Sequence, residues 1–127
     1  MLGAKRVTGV EIDERAVRTA QENAASVGMR VEFFTGDVHE PSLKTRIGTC
    51  DTVIMNPPFG AQQVHADRPF IDLALSIAPV TYGIFNAGSR QFIETYEPER
   101  AGGQACEHGV TLFKSKHPNF TEKIFPA

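Results

Sequence analysis

Three observations predict an α/β fold built on a parallel sheet. Apolar runs of strand length and β-branched character recur at Lys5 to Val10, Arg30 to Thr35, Thr52 to Met55 and Val80 to Phe85. Segments of helical period lie between several of them, the alternation that gives parallel strands joined by crossover helices. Finally, Glu11, Asp37 and Asn56 stand at or just past the carboxyl ends of predicted strands, where open α/β sheets bind their ligands.

Composition narrows the class. With 127 residues, 41% of them hydrophobic, the chain supports one core and reads as a single domain over 1–127. Its net charge of −2 argues against a free-standing nucleic-acid binder. Attraction to RNA would have to come from a local patch, a partner or sequence outside this chain. Cys50 and Cys106 have no Cys or His at metal-ligand spacing, and His108 and His117 have no suitable partner. No metal site is expected, and both thiols read as reduced and partly buried, in a cytoplasmic protein. Neither a signal peptide nor an apolar run of membrane-spanning length is visible.

Taken in order, Met1 to Ala4 reads as the tail of a helix and Lys5 to Val10 as the first strand. Glu11 at its end suits hydrogen bonds from the two hydroxyls of a ribose, and Ile12 would lie against an adenine ring. Asp13 is the better helix N-cap. The helix from Asp13 to Val27 carries Ala16, Val17, Ala20, Ala24 and Val27 on one stripe, with Gly28 as its stop. After the strand Arg30 to Thr35, Asp37 of Gly36-Asp37-Val38 is placed to accept from the amino group of an adenine; the alternative is an ordinary Gly-Asp turn.

His39 to Gly48 reads as a connector with one helical turn, and Ala61 to Asp67 as a polar loop whose His65 is solvent-exposed. Arg68 to Ala78 is a helix apolar enough to pack on the sheet, ended by Pro79. Val80 to Phe85 is a further strand. A helix capped by Ser89 carries Phe92, Ile93 and Tyr96 and is limited by Pro98 and Gly102-Gly103. Gly109 to Lys114 is a last short strand.

The chain is organised around Asp51-Thr52-Val53-Ile54-Met55-Asn56-Pro57-Pro58-Phe59-Gly60. Val53 to Met55 reads as a strand covered on both faces. Two prolines then fix φ twice and remove two donors, so the ladder must stop and the turn is stiff. What remains is acceptors: the Asn56 side-chain oxygen and the Pro57 carbonyl can each take one hydrogen of the same amino group. An adenine amino nitrogen is a poor nucleophile because its lone pair is delocalised into the ring. Gripping both hydrogens draws it toward tetrahedral geometry and frees that lone pair for an electrophilic methyl group. Phe59 offers a face for stacking a flipped base, and Gly60 lets the backbone pass close. Asn56, Pro57, Pro58 and Phe59 are therefore the candidate catalytic residues.

With Gly9-Val10-Glu11-Ile12-Asp13, Gly36-Asp37-Val38 and the Asn-Pro-Pro-Phe turn in this order, the chain resembles the S-adenosylmethionine-dependent class I methyltransferases of amino groups. More narrowly, Met55 to Gly60, Asp67, Phe70, Ala74, Tyr82 and Ala87-Gly88-Ser89-Arg90 resemble the archaeal and eukaryotic methyltransferase-like proteins that make N6-methyladenosine in small-subunit ribosomal RNA. The resemblance covers most of residues 3 to 96. It implies a Rossmann-like fold with S-adenosylmethionine at Glu11, Ile12, Asp37, Val38 and Asn56, and the target base at Asn56 through Phe59. It also implies an RNA substrate and a small zinc-binding activator subunit as partner.

Three departures qualify it. The family's first strand and glycine-rich loop, which cradles the methionine end of the cofactor, have no counterpart. Phe85-Asn86 stands where the subfamily has a His-Lys pair, and the closing strands are short. The chain therefore reads as a fragment lacking that strand, with an open edge expected on each of its two neighbours. Other readings are methylation of a protein glutamine amide, as in release-factor methyltransferases, which commonly carry Tyr where this chain has Phe59; methylation of guanine amino groups or DNA adenine; and a non-catalytic remnant that binds a partner.

Overall fold

A computed structural model describes residues 3–58, 66–86, 91–92, 101–106 and 110–116, of which residues 86, 101–106 and 110–116 are described by their backbone alone. These residues form two compact units, Met1–Ile47 and Gly48–Ala127.

The first unit runs β1 (Thr8–Glu11), α1 (Glu14–Ser26), β2 (Glu32–Thr35), α2 (Pro41–Ile47). β1 and β2 are parallel, in register from Thr8 opposite Glu32 to Glu11 opposite Thr35. Parallel neighbours need a crossover, which α1 supplies. Its start is fixed by the Asp13 carboxylate, which accepts from the Arg15 amide at 2.8 Å. Its end is fixed by Gly28 at φ +69°, a left-handed turn that costs glycine little, after which the Met29 amide donates to the Ala24 carbonyl at 2.9 Å.

Both strands are shorter than expected at their amino ends, because the ladder begins only where Thr8 meets Glu32. Val27 is not on the buried stripe: it is the C-cap, 59% exposed, and Val17 is the buried residue of α1. The connector expected after His39 holds a seven-residue helix instead of one turn. Pro41 suits its first position, and Leu43, fully buried, anchors it.

The second unit runs β3 (Thr52–Met55), α3 (Arg68–Ile77), β4 (Val80–Asn86), β5 (Ala101–Cys106), β6 (Val110–Lys116), with sheet order β3-β4-β6-β5. β3 and β4 are parallel, and the pairs β4–β6 and β5–β6 are antiparallel. α3 makes the crossover and buries Ile71, Ala74, Leu75 and Ile77. Ile71, Leu75 and Phe85 form the core cluster, with Met55 and Phe92 packed against it. Each fully buried side chain of this size contributes about 1.5–3 kcal/mol. Gly83 makes room for that core: a Cβ there would run into the Phe85 ring and approach Met55 Cε at 3.3 Å.

Four expectations change in this unit. Gly102-Gly103 lie inside β5, paired from Ala101 opposite Ser115 to Cys106 opposite Val110, and so do not merely limit a helix. The last strand is Val110–Lys116. β3 is covered on one face only among the described residues. Val53 and Met55 are half-buried on that face, whereas Thr52 and Ile54 are exposed, Ile54 by 79%. Cys50 is exposed, not partly buried, although shielding of the sulfur and then the Asp51 charge push its thiol up. Of the helix expected after Ser89, Gln91 and Phe92 are helical, and Ser89, Ile93 and Tyr96 lie outside the described residues, as do His65, His108 and His117.

Among the described residues β1 pairs only with β2 and β3 only with β4, so each has the open edge that was expected. No helix among them is long and apolar enough to cross a membrane.

Thr81 is fully buried on β4, and its hydroxyl finds no hydrogen-bond partner among the described residues. An unpaired buried hydroxyl costs on the order of 1–3 kcal/mol, so Thr81→Val is expected to raise stability by about 1 kcal/mol in urea melts. A loss of stability would show that the hydroxyl has a partner.

Candidate active site

The carboxyl ends of β1 and β2 are tied together. The Gly36 amide donates to the Glu11 carbonyl at 2.9 Å, which carries the parallel register one residue past β2. Gly36 fits closely there, since a Cβ would sit 2.6 Å from Cδ1 of the fully buried Leu43, which would have to shift. Arg46 of α2 donates to the Thr35 carbonyl at 3.3 Å and lies over the Phe34 ring at 5.6 Å, which holds the end of β2.

Glu11 and Asp37 use one device on this rim. Glu11 Oε1 accepts from the backbone amides of Ile12 at 2.9 Å and Asp13 at 3.1 Å. Asp37 Oδ1 accepts from the His39 amide at 2.9 Å and from His39 Nδ1 at 2.7 Å. In both cases one oxygen fixes the side chain, and the second makes no hydrogen bond among the described residues. The His39 amide, and then its ring, hold the Asp37 carboxyl below the usual carboxylate range. Beside them Ile12 is 64% exposed and Val38 half-buried. The Asp37 carbonyl accepts from the Glu40 amide at 2.9 Å, which turns the chain into α2.

In the second unit the alternation of β3 continues into its turn. Met55 is half-buried on the core cluster, Asn56 exposed, Pro57 buried and Pro58 exposed. Asn56 is thus held between two anchored neighbours, and its carboxamide makes no hydrogen bond among the described residues. Its oxygen is one of the two acceptors expected from the sequence; the other, the Pro57 carbonyl, belongs to a buried residue. Phe59 lies outside the described residues. Sequence reading did not single out His39 or Arg46; the Asp-x-His spacing was the available signal for the first.

A cavity of about 440 Å³ lies at the other end of β1 and β2, lined by Lys5, Arg6, Gln21, Met29, Arg30 and Phe33 among others. Arg6 is paired there with Glu32 at 2.8 Å, and both side chains are more than half exposed, so the pair adds little to stability. The oriented carboxylates of this unit, Glu11 and Asp37, are at the opposite, carboxyl ends of the two strands.

The family model described as the methyltransferase small domain matches residues 2–76. The chain belongs to that family. An uncharacterised protein of Methanocaldococcus jannaschii is 38% identical over 109 residues, which is 80% of this chain and 50% of that protein. A Caenorhabditis elegans rRNA N6-adenosine-methyltransferase is 29% identical over 68% of this chain and 42% of its own length. A Bacillus subtilis release factor glutamine methyltransferase is 34% identical over 61 residues, 48% of this chain and 21% of its own. The chain thus spans about half, or less, of the curated relatives it matches.

Among solved structures, a proposed RNA methyltransferase from Pyrococcus horikoshii superposes with a TM-score of 0.71 at 34% identity, over 93% of this chain and 65% of the other. The Rossmann-like α/β expectation is borne out.

S-adenosylmethionine is the cofactor of the family. The donors on its nucleoside are ribose hydroxyls and a purine amino group, and the residues present fit it: two carboxylate oxygens without a hydrogen bond among the described residues, beside an exposed isoleucine.

Because Asp37 titrates from a lowered value, any stability it contributes is intact at neutral pH. That contribution is lost as pH falls through the depressed midpoint, below the ordinary value of about 3.9. The His39 amide proton shift, followed by NMR, is expected to move with that midpoint. A midpoint at or above the ordinary value would mean that the two bonds do not form in solution.

Proposed function

We propose that this chain is the cofactor-binding and base-gripping core of an S-adenosylmethionine-dependent N-methyltransferase whose substrate is an exocyclic amino group, adenine N6 in RNA. The observation that carries the reading is the turn after β3. There an exposed Asn56 is clamped between a core-packed Met55 and a buried Pro57, at the strand end where a ligand would approach. When bound, the cofactor supplies an electrophilic methyl group on a sulfonium.

The chain's own atoms do the remainder. Glu11 accepts from the ribose hydroxyls through its uncommitted oxygen, Asp37 accepts from the adenine amino group, and Ile12 and Val38 give the purine an apolar surface. The Asn56 oxygen and the Pro57 carbonyl take the two hydrogens of the target amino group and turn its lone pair outward, with Pro58 stiffening the turn. Phe59 stacks the flipped base. The proton released on methylation leaves along one of those two hydrogen bonds toward water.

An RNA substrate is supported by the Caenorhabditis elegans relative and the Pyrococcus horikoshii structure. The net charge of −2 goes with a partner that supplies part of the attraction, and a small zinc-binding activator subunit is the partner this reading carries. A cytoplasmic setting goes with the free Cys50 thiol. The second reading is methylation of a protein glutamine amide, which the Bacillus subtilis relative supports. The same two acceptors would grip a primary amide equally well.

Equilibrium binding of S-adenosylmethionine to the chain tests the cofactor half. Glu11→Ala is expected to weaken it on the order of 10-fold or more, the loss of a charged hydrogen bond. Asn56→Ala is expected to weaken binding less than Glu11→Ala does and to lower the methylation rate of RNA on the order of 10²–10³-fold, as removal of a transition-state contact does. Methylation of a Gln-containing peptide in preference to RNA would select the second reading. A folded chain with no saturable binding would overturn both.

A further inference from the structure

We infer that His39 is a positioning residue, one that orients Asp37 so that the carboxylate's second oxygen faces the purine amino group of the cofactor; the inference rests on the role given to Asp37 above. A carboxylate rotates readily about its last torsion, which has broad wells. One hydrogen bond leaves that rotation largely free, whereas two donors converging on one oxygen from separate directions fix it. His39 supplies both, its amide at 2.9 Å and its ring Nδ1 at 2.7 Å, each to Asp37 Oδ1. The second oxygen then has a defined direction.

Two observations separate this from an incidental surface contact. The His39 side chain is 69% exposed, so packing does not hold the ring in place and the carboxylate is the partner that orders it. The 2.7 Å separation is that of a charge-assisted bond. Glu11, on the adjoining strand end, shows the same arrangement built from two backbone amides, both on Oε1. At Asp37 a ring nitrogen takes the place of the second amide. A neutral ring can donate there only as the Nδ1–H tautomer, and an imidazolium donates from the same atom, so the clamp requires no particular ring charge. The exposed pair adds little to stability, which leaves orientation as its effect.

The test uses S-adenosylhomocysteine and its analogue with an unsubstituted purine, which lacks the amino group, measured by calorimetry. His39→Ala should weaken S-adenosylhomocysteine binding about 5- to 10-fold and leave the analogue unchanged within twofold. His39→Asn, whose side-chain amide can reach the same oxygen, should restore most of the loss. In an Asp37→Asn background the His39→Ala effect should vanish. Thermal melts should be unchanged by either His39 variant.

Equal weakening of both ligands, persistence of the effect without the Asp37 carboxylate, or failure of His39→Asn to rescue would each overturn the inference. If Asp37→Asn has no effect while Glu11→Ala still abolishes binding, the inference falls and the methyltransferase reading stands. If the unmodified chain binds neither ligand, both fall.

Discussion

The hydrogen bond from the Gly36 amide to the Glu11 carbonyl is the contact on which the arrangement of the first unit's strand ends depends. It extends a four-residue parallel ladder by one rung, and that rung puts two acidic side chains on adjoining strand ends. Gly36 lies against Leu43 there, where a side chain of its own would force the leucine to shift. Leu43 is fully buried because α2 packs there, and α2 begins where the Asp37 carbonyl caps the Glu40 amide. The chain of dependence closes on the residue it serves, so Gly36, Asp37, Glu40 and Leu43 act as one structural element.

The second unit fixes its polar group by a different means. No side-chain hydrogen bond among the described residues restrains Asn56. Its position is set by what is buried on either side, Met55 against Ile71, Leu75 and Phe85, and Pro57 in its own right. Carboxylates are oriented by donors in the first unit, and a carboxamide is left free between apolar anchors in the second. Under the proposed function the difference matches the tasks assigned to these residues, since a charged acceptor gains from donors that sharpen its direction, whereas an amide assigned to grip a reacting amine needs its oxygen uncommitted.

Much of this was legible in the sequence, for identifiable reasons. β3 and α3 are strongly apolar, and the caps of α1, Asp13 and Gly28, have side-chain and backbone chemistry that admits few other roles. Glu11, Asp37 and Asn56 could be picked out because each ends an apolar run. β5 was hidden because Ala101-Gly102-Gly103-Gln104-Ala105-Cys106 lacks the β-branched and aromatic residues that mark strands, and its place comes from pairing with β6. α2 was hidden because Leu43 and Ile47 are too few to show a period. The role of His39 depends on a turn geometry that no periodicity reports.

Gly83 and Phe85 share one volume, since the ring of the second occupies the space a side chain on the first would need. The two positions are therefore bound to change together as the sequence drifts, and the order of change matters. Replacing Gly83 first forces the ring out of a core it fills with 1% exposure, whereas shrinking Phe85 first opens a hole that a side chain at 83 could then occupy. Relatives that carry a larger residue at the first position should carry a smaller one at the second, a covariation written by packing two residues apart on one strand and owing nothing to catalysis.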